Sequence, residues 1–129
     1  MHPLKNKTVL VSGASSGIGK ACAVAFAQVG AKLILCARRV DKLTELSVDL
    51  KNQFQTESLT IGLDVRDRKA VDAAVDALPE TWKRVDVLVN NAGGAMGLDK
   101  FQEGNLDDWD FMIDTNVKGL LYLTRKIVP

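Results

Sequence analysis

At 129 residues the chain is long enough for one modest domain around a single core. Apolar residues make up 47% and charged residues 26%, as in a soluble globular protein, and a formal net charge of +1 with scattered basic residues argues against nucleic acid as a partner. No apolar run is long enough to span a bilayer, and charge and proline interrupt residues 1–7 where a signal peptide would carry its apolar core, so the expected location is the cytoplasm.

Short apolar strands alternate with helical patterns along the chain. The first strand is expected over residues 8–12. It runs into Ser-Gly-Ala-Ser-Ser-Gly-Ile-Gly, with Gly13, Gly17 and Gly19 in the spacing G-x-x-x-G-x-G. Such a turn brings backbone N–H groups and a positive helix end up to a pyrophosphate with no Cβ in the way. Gly13, Ser15, Ser16, Gly17, Ile18 and Gly19 are therefore candidate dinucleotide contacts. The plainer alternative is a tight strand-to-helix turn that binds nothing.

A helix is expected over residues 17–29, with Ile18, Cys22, Ala25, Phe26 and Val29 on its inner face and Gly30 closing it. The second strand covers residues 32–37. In a dinucleotide site that takes NAD, an acidic residue at this strand's end holds the ribose 2′-OH. Here Ala37 stands there and Arg38 and Arg39 follow, which suits the 2′-phosphate of NADP. The alternative, a solvated basic turn, sets two cations against a helix's positive end. Cys22 and Cys36 read as two buried thiols. His2 is the only histidine, which argues against histidine catalysis and His-rich metal sites.

The next helix is expected over residues 40–52, with Val40, Leu43, Leu46 and Leu50 inward. A third strand over residues 59–63 leads to Asp64 and Val65, where an adenine ring would lie. Asp64 can accept a bond from the adenine amino group, or it can simply end the strand. A helix over residues 67–78 stops at Pro79. The fourth strand, residues 85–90, ends in Asn90-Asn91-Ala92-Gly93. There the asparagine amides can hold the loop and Gly93 leaves room for a ribose. Asn105 caps a short helix with Asp107 and Asp108 in its first turn. A further helix is expected to begin near Asn116 and to carry Leu120, Leu121, Leu123, Ile127 and Val128.

Strands separated by helices of this length imply parallel βαβ units. The expected architecture is an α/β, doubly wound parallel sheet with strand order 3-2-1-4. Four strands are little more than half of a complete dinucleotide fold. Residues 1–129 are thus expected to form one dinucleotide-binding domain, incomplete at its C-terminus. Strand 4 would be an open apolar edge, which predicts self-association into a homo-oligomer.

Taken together, Gly13, Gly17, Gly19, Asp64, Asn90-Asn91-Ala92-Gly93 and Asn116 resemble the short-chain dehydrogenase/reductase family, whose fold is of Rossmann type. Their order and spacing fit from about Thr8 onward. Ser12 departs from the family's threonine but keeps the hydroxyl. Arg38-Arg39, Leu63-Asp64-Val65-Arg66 and Asp108-Trp109 through Met112-Ile113-Asp114-Thr115-Asn116 look most like the branch of NADP-dependent 3-hydroxy acid and serine dehydrogenases. The resemblance implies hydride transfer between NADP(H) and a small alcohol or carbonyl substrate such as a 3-hydroxy acid. It also implies that Asn116 is the family's catalytic asparagine, which supports a catalytic lysine through a bound water.

Tyr122 and Lys126 reproduce the family's Tyr-x-x-x-Lys spacing, but they follow Asn116 far too closely, and no serine occurs after Ser58. A packing role is expected for Tyr122. The catalytic serine, tyrosine and lysine are then missing from these 129 residues, and the chain alone is expected to be inactive. Asp107, Asp108, Asp110 and Asp114 lack calcium-loop spacing, and no metal is expected. The alternative reading of the whole chain is a non-catalytic nucleotide-binding or self-associating module.

Overall fold

The computed structural model describes residues 2–15, 17–92 and 104–128. In chain order these form β1 (Thr8–Ser12), α1 (Gly17–Gln28), β2 (Lys32–Ala37), α2 (Val40–Phe54), β3 (Ser58–Gly62), α3 (Arg68–Asp76), a 3-10 turn (Glu80–Trp82), β4 (Val87–Val89), α4 (Leu106–Ile113), a π-helical segment (Asp114–Gly119) and α5 (Leu120–Ile127). The strands are parallel and ordered β3-β2-β1-β4, as expected. Thr8 pairs with Lys32, Leu33 with Ser58 and Val9 with Val87.

Side chains alternate across a strand, so a sheet covered on both faces needs apolar residues at every position. Val9, Val11, Leu33 and Leu35 bury against Ala23, Ala27, Leu43, Leu46 and Leu50 of α1 and α2. Leu10, Ile34 and Cys36 bury on the other face, against Val71 of α3 and Leu123 of α5. The two layers of helices therefore rest on one two-faced sheet.

Several expectations are corrected. The sheet-facing residues of α1 are Gly19, Ala23 and Ala27, while Ile18 is 74% exposed and Ala25 is exposed. Helix and sheet approach so closely here that only small residues fit between them; Phe26 packs from the flank. Cys22 is consequently half-buried, whereas Cys36 is fully buried, and both are free thiols. Val40 is also exposed, at the open end of α2. β3 starts and ends one residue earlier than expected, and α3 is shorter, with Asp67 accepting from the Ala70 N–H at 3.1 Å as its cap.

β4 is shorter than the expected residues 85–90. Asp86 opens the pairing by accepting from the Thr8 N–H at 2.9 Å. Past Val89 a side chain replaces the ladder: Ser12 Oγ accepts from the N–H groups of Asn91 and Ala92, both at 3.0 Å. β4 pairs only with β1 among the described strands.

Residues 106–127 form one continuous helical run rather than two helices. Asn105 caps it as expected, accepting from Asp107 N at 2.8 Å and Asp108 N at 3.2 Å. Asn116 starts no helix and lies within the π-helical segment. The wider turn shifts the helix phase, so Thr115, Gly119 and Leu123 face inward. Of the expected α5 residues only Leu123 is buried; Leu120, Leu121 and Val128 are exposed. No helix among the described residues is long and apolar enough to cross a membrane.

Candidate functional site

The carboxyl ends of the strands meet at the turn after β1. Gly13 has φ +65° and Gly17 has φ +59°, a region that favours glycine. At Gly13 a Cβ would lie 2.8 Å from the Asn91 carbonyl oxygen; at Gly19 it would collide with the Gly13 carbonyl. No described residue would meet a Cβ at Gly17, so there the backbone conformation is what calls for glycine.

Ser12 ties this turn to the end of β4 through the two bonds described above. Its hydroxyl also donates to the Val89 carbonyl at 3.3 Å. Asn91 Nδ2 donates to the Gly13 carbonyl at 3.3 Å, and Asn90 Nδ2 donates to Thr124 Oγ1 at 2.9 Å. One asparagine thus holds the glycine turn and the other holds α5. No acidic residue occupies the first turn of α1, so its positive end is not neutralised by its own helix.

A cleft of about 280 Å³ opens beside the turn. Of the residues singled out from the sequence, Gly13, Ser15, Arg38, Arg39, Asp64, Val65, Asn91 and Ala92 line it. Gly17, Ile18, Gly19, Asn90 and Asn116 are not on its lining; Gly19 and Asn90 act from behind it, through the packing and bond just described. Ser16 and Gly93 fall outside the described residues.

Arg38 and Arg39 point to different surroundings. Arg39 lies 4.0 Å from Asp41, with both side chains largely exposed, and makes no side-chain cap for α2. Such a surface pair is weak. The Arg38 guanidinium sits over the ring of Phe111, 5.1 Å from its centroid.

Asp64 is more heavily engaged than expected. Arg66 binds it with Nε at 3.0 and 3.1 Å and Nη2 at 2.6 Å, and the Arg66 N–H adds a bond at 3.0 Å. The Arg66 guanidinium holds the Asp64 carboxyl below its ordinary range, against the opposing effect of burial. Much of the acceptor capacity offered to an adenine is therefore used within the chain.

Phe111 and Thr115 also line the cleft, and nothing local in the sequence marks either. Thr115 Oγ1 is buried without a hydrogen-bond partner among the described residues. Burial of an unpaired hydroxyl is unfavourable, so a ligand that supplies a partner would be stabilised there. The glycine turn, which a Cβ would fill, and this orphaned hydroxyl both fit a bound nucleotide.

Tyr122 packs half-buried against the sheet core, and Lys126 Nζ pairs with Asp76 at 2.8 Å. Both line a separate depression with Arg68, Asp72 and Arg125. Asp114 pairs with Lys118 at 3.5 Å, and among the described residues no three His, Cys, Asp or Glu side chains gather as metal ligands.

A glycine turn and cleft at the carboxyl edge of a 3-2-1-4 parallel sheet define a Rossmann-type α/β domain. The family model described as short chain dehydrogenase matches residues 7–129, and the chain belongs to that family. Sulfoacetaldehyde reductase 2 of Chromohalobacter salexigens is 48% identical over 121 residues, which is 94% of this chain and 47% of that protein. The NADP-dependent 3-hydroxy acid dehydrogenase of Schizosaccharomyces pombe is 43% identical over 130 residues, covering 100% of this chain and 50% of that one. Among solved structures, serine dehydrogenase from Escherichia coli superposes with a TM-score of 0.86 at 41% identity, over 95% of this chain and 55% of that one. A closed form of serine dehydrogenase is complexed with NADP+. The chain spans about half the length of the curated relatives it matches.

Proposed function

We propose that this chain is the NADP(H)-binding part of a short-chain oxidoreductase acting on a small alcohol or carbonyl compound, with a 3-hydroxy acid as the favoured class. The observation that carries the reading is the cleft itself, whose lining brings together Gly13 of the turn after β1 and Arg38, which follows β2. The bound nicotinamide supplies or accepts the hydride. Gly13 and the start of α1 hold the pyrophosphate, and Arg38 takes the 2′-phosphate through forked charge-assisted bonds. Asn91 keeps the turn in shape, and Asn116 takes the position of the family's catalytic asparagine.

Proton transfer at the substrate oxygen falls to groups outside these residues, so the 129-residue chain alone binds cofactor without turnover. Self-association completes the proposal, supported by a β4 that pairs only with β1 among the described strands. The test is a fluorescence titration with NADPH and with NADH. NADPH is expected to bind the more tightly, and Arg38→Ala to weaken it about tenfold to a hundredfold while leaving NADH nearly unchanged. Equal affinity for both cofactors would overturn the reading.

A further inference from the structure

We propose that Phe111 is a positioning residue for cofactor choice: its ring, fixed by the Asp64–Arg66 pair, holds the Arg38 guanidinium at the cleft for the 2′-phosphate. This inference rests on the NADP reading above and goes beyond it. The four side chains form a relay at the cleft, with Arg38, Asp64 and Phe111 on its lining and Arg66 joining Asp64 to Phe111. Arg66 is clamped by both Asp64 oxygens, and its guanidinium lies 4.7 Å from the centroid of the Phe111 ring. Arg38 lies 5.1 Å from the same centroid. Both distances fall within the ~6 Å over which an aromatic face attracts a cation.

Chemistry makes the arrangement useful. A guanidinium that stacks its face on a ring keeps its N–H edges free for an anion. Among the described residues no carboxylate forms an ion pair with Arg38, so none of them takes those edges. The Asp64 carboxylate offsets the charge of Arg66, which lets two guanidinium groups share one ring. A long, exposed arginine otherwise loses considerable side-chain freedom when it binds. The ring removes part of that freedom beforehand, and it does so only for a ligand that carries the 2′-phosphate.

Titrations of NADPH and NADH into the protein and its variants test the idea. Phe111→Leu is expected to weaken NADPH about three- to tenfold, with NADH unchanged. Phe111→Tyr, which keeps the ring, restores the preference. In an Arg38→Ala background, Phe111→Leu is expected to have no further effect. Arg66→Gln gives a smaller loss in the same direction, and it leaves the ring in place should Phe111→Leu fail to fold. A purely structural role for Phe111 would weaken both cofactors alike, and that result overturns the inference. So does an unchanged NADPH preference in Phe111→Leu while Arg38→Ala abolishes it, an outcome that leaves the NADP reading standing. Absence of any NADPH preference in the parent protein removes both.

Discussion

Ser12 shows how much one hydroxyl can organise. It satisfies two backbone N–H groups that lie beyond the last rung of β4, and it donates to a third group, the Val89 carbonyl. An orphaned, part-buried N–H is unfavourable by about 1–3 kcal/mol. Ser12→Ala is therefore expected to lower unfolding free energy by roughly that amount in denaturant titration and to weaken cofactor binding with it. Ser12→Thr keeps the hydroxyl and should fall much closer to the parent. The neighbouring glycines behave differently from each other: Gly13 is needed for both conformation and space, while at Gly17 the described residues leave room and the positive φ calls for glycine. Asp64 and Arg66 add a pH signature. The carboxyl is held below its ordinary range, so the pair's contribution is complete above the ordinary value of about 3.9. It is lost only as pH falls through the lower folded value. The Asp64–Arg66 pair is accordingly expected to persist at pH 5, so that in equilibrium titrations a weaker NADPH preference at that pH, from protonation of the 2′-phosphate with its second pKa of about 6, is the same in Arg66→Gln as in the parent.

Among the elements, the helical run of residues 106–127 is where the sequence is hardest to read. The two faces of the sheet, the Asp67 and Asn105 caps and the strand order are legible, because period-two alternation and capping chemistry are local signals. A π-helical segment slips the phase of the helix after it, and apolar spacing alone cannot register the slip. Spacing therefore points Leu121 inward, whereas it is 58% exposed. The face of α1 misleads for another reason: at close approach small residues win the contact, and Gly19, Ala23 and Ala27 do not stand out in a hydrophobicity pattern. The cleft is legible in Gly13, Arg38, Asp64 and Asn91, all adjacent to strand ends. Phe111, Thr115 and the Arg66 clamp are not, since they arrive by tertiary packing. Gly119 gives the element-scale test. Alanine normally improves a helix by up to about 1 kcal/mol over glycine. Here its Cβ would lie 2.5 Å from Val65 Cγ2 and 3.1 Å from the Val65 carbonyl oxygen. Overpacking of that kind is unfavourable by about 1–3 kcal/mol, so Gly119→Ala should lower the melting temperature rather than raise it.

At the scale of the whole chain, two layers of helices lie on a four-stranded sheet in which β4 pairs only with β1 among the described strands. Its three residues are half-buried, so the edge is shorter than the sequence pattern implies. Apolar side chains stand open elsewhere, at Ile113, Val117 and Leu121 along the last helical run. Light scattering across a range of concentrations is expected to give a mass above that of one 14.0 kDa chain. A concentration-independent monomer would remove self-association from the proposal.

The bond between Ser12 and Asn91 joins residues 79 positions apart. Loop closure over such a distance must precede the contacts that reward it. The glycine turn leaves the ribosome early, yet the strand end that shapes it emerges only after two further βα units have been made. A newborn chain therefore carries its glycine turn, until residue 91 has been made, without the strand end it leans on. The shape of the turn is a late acquisition among these four strands.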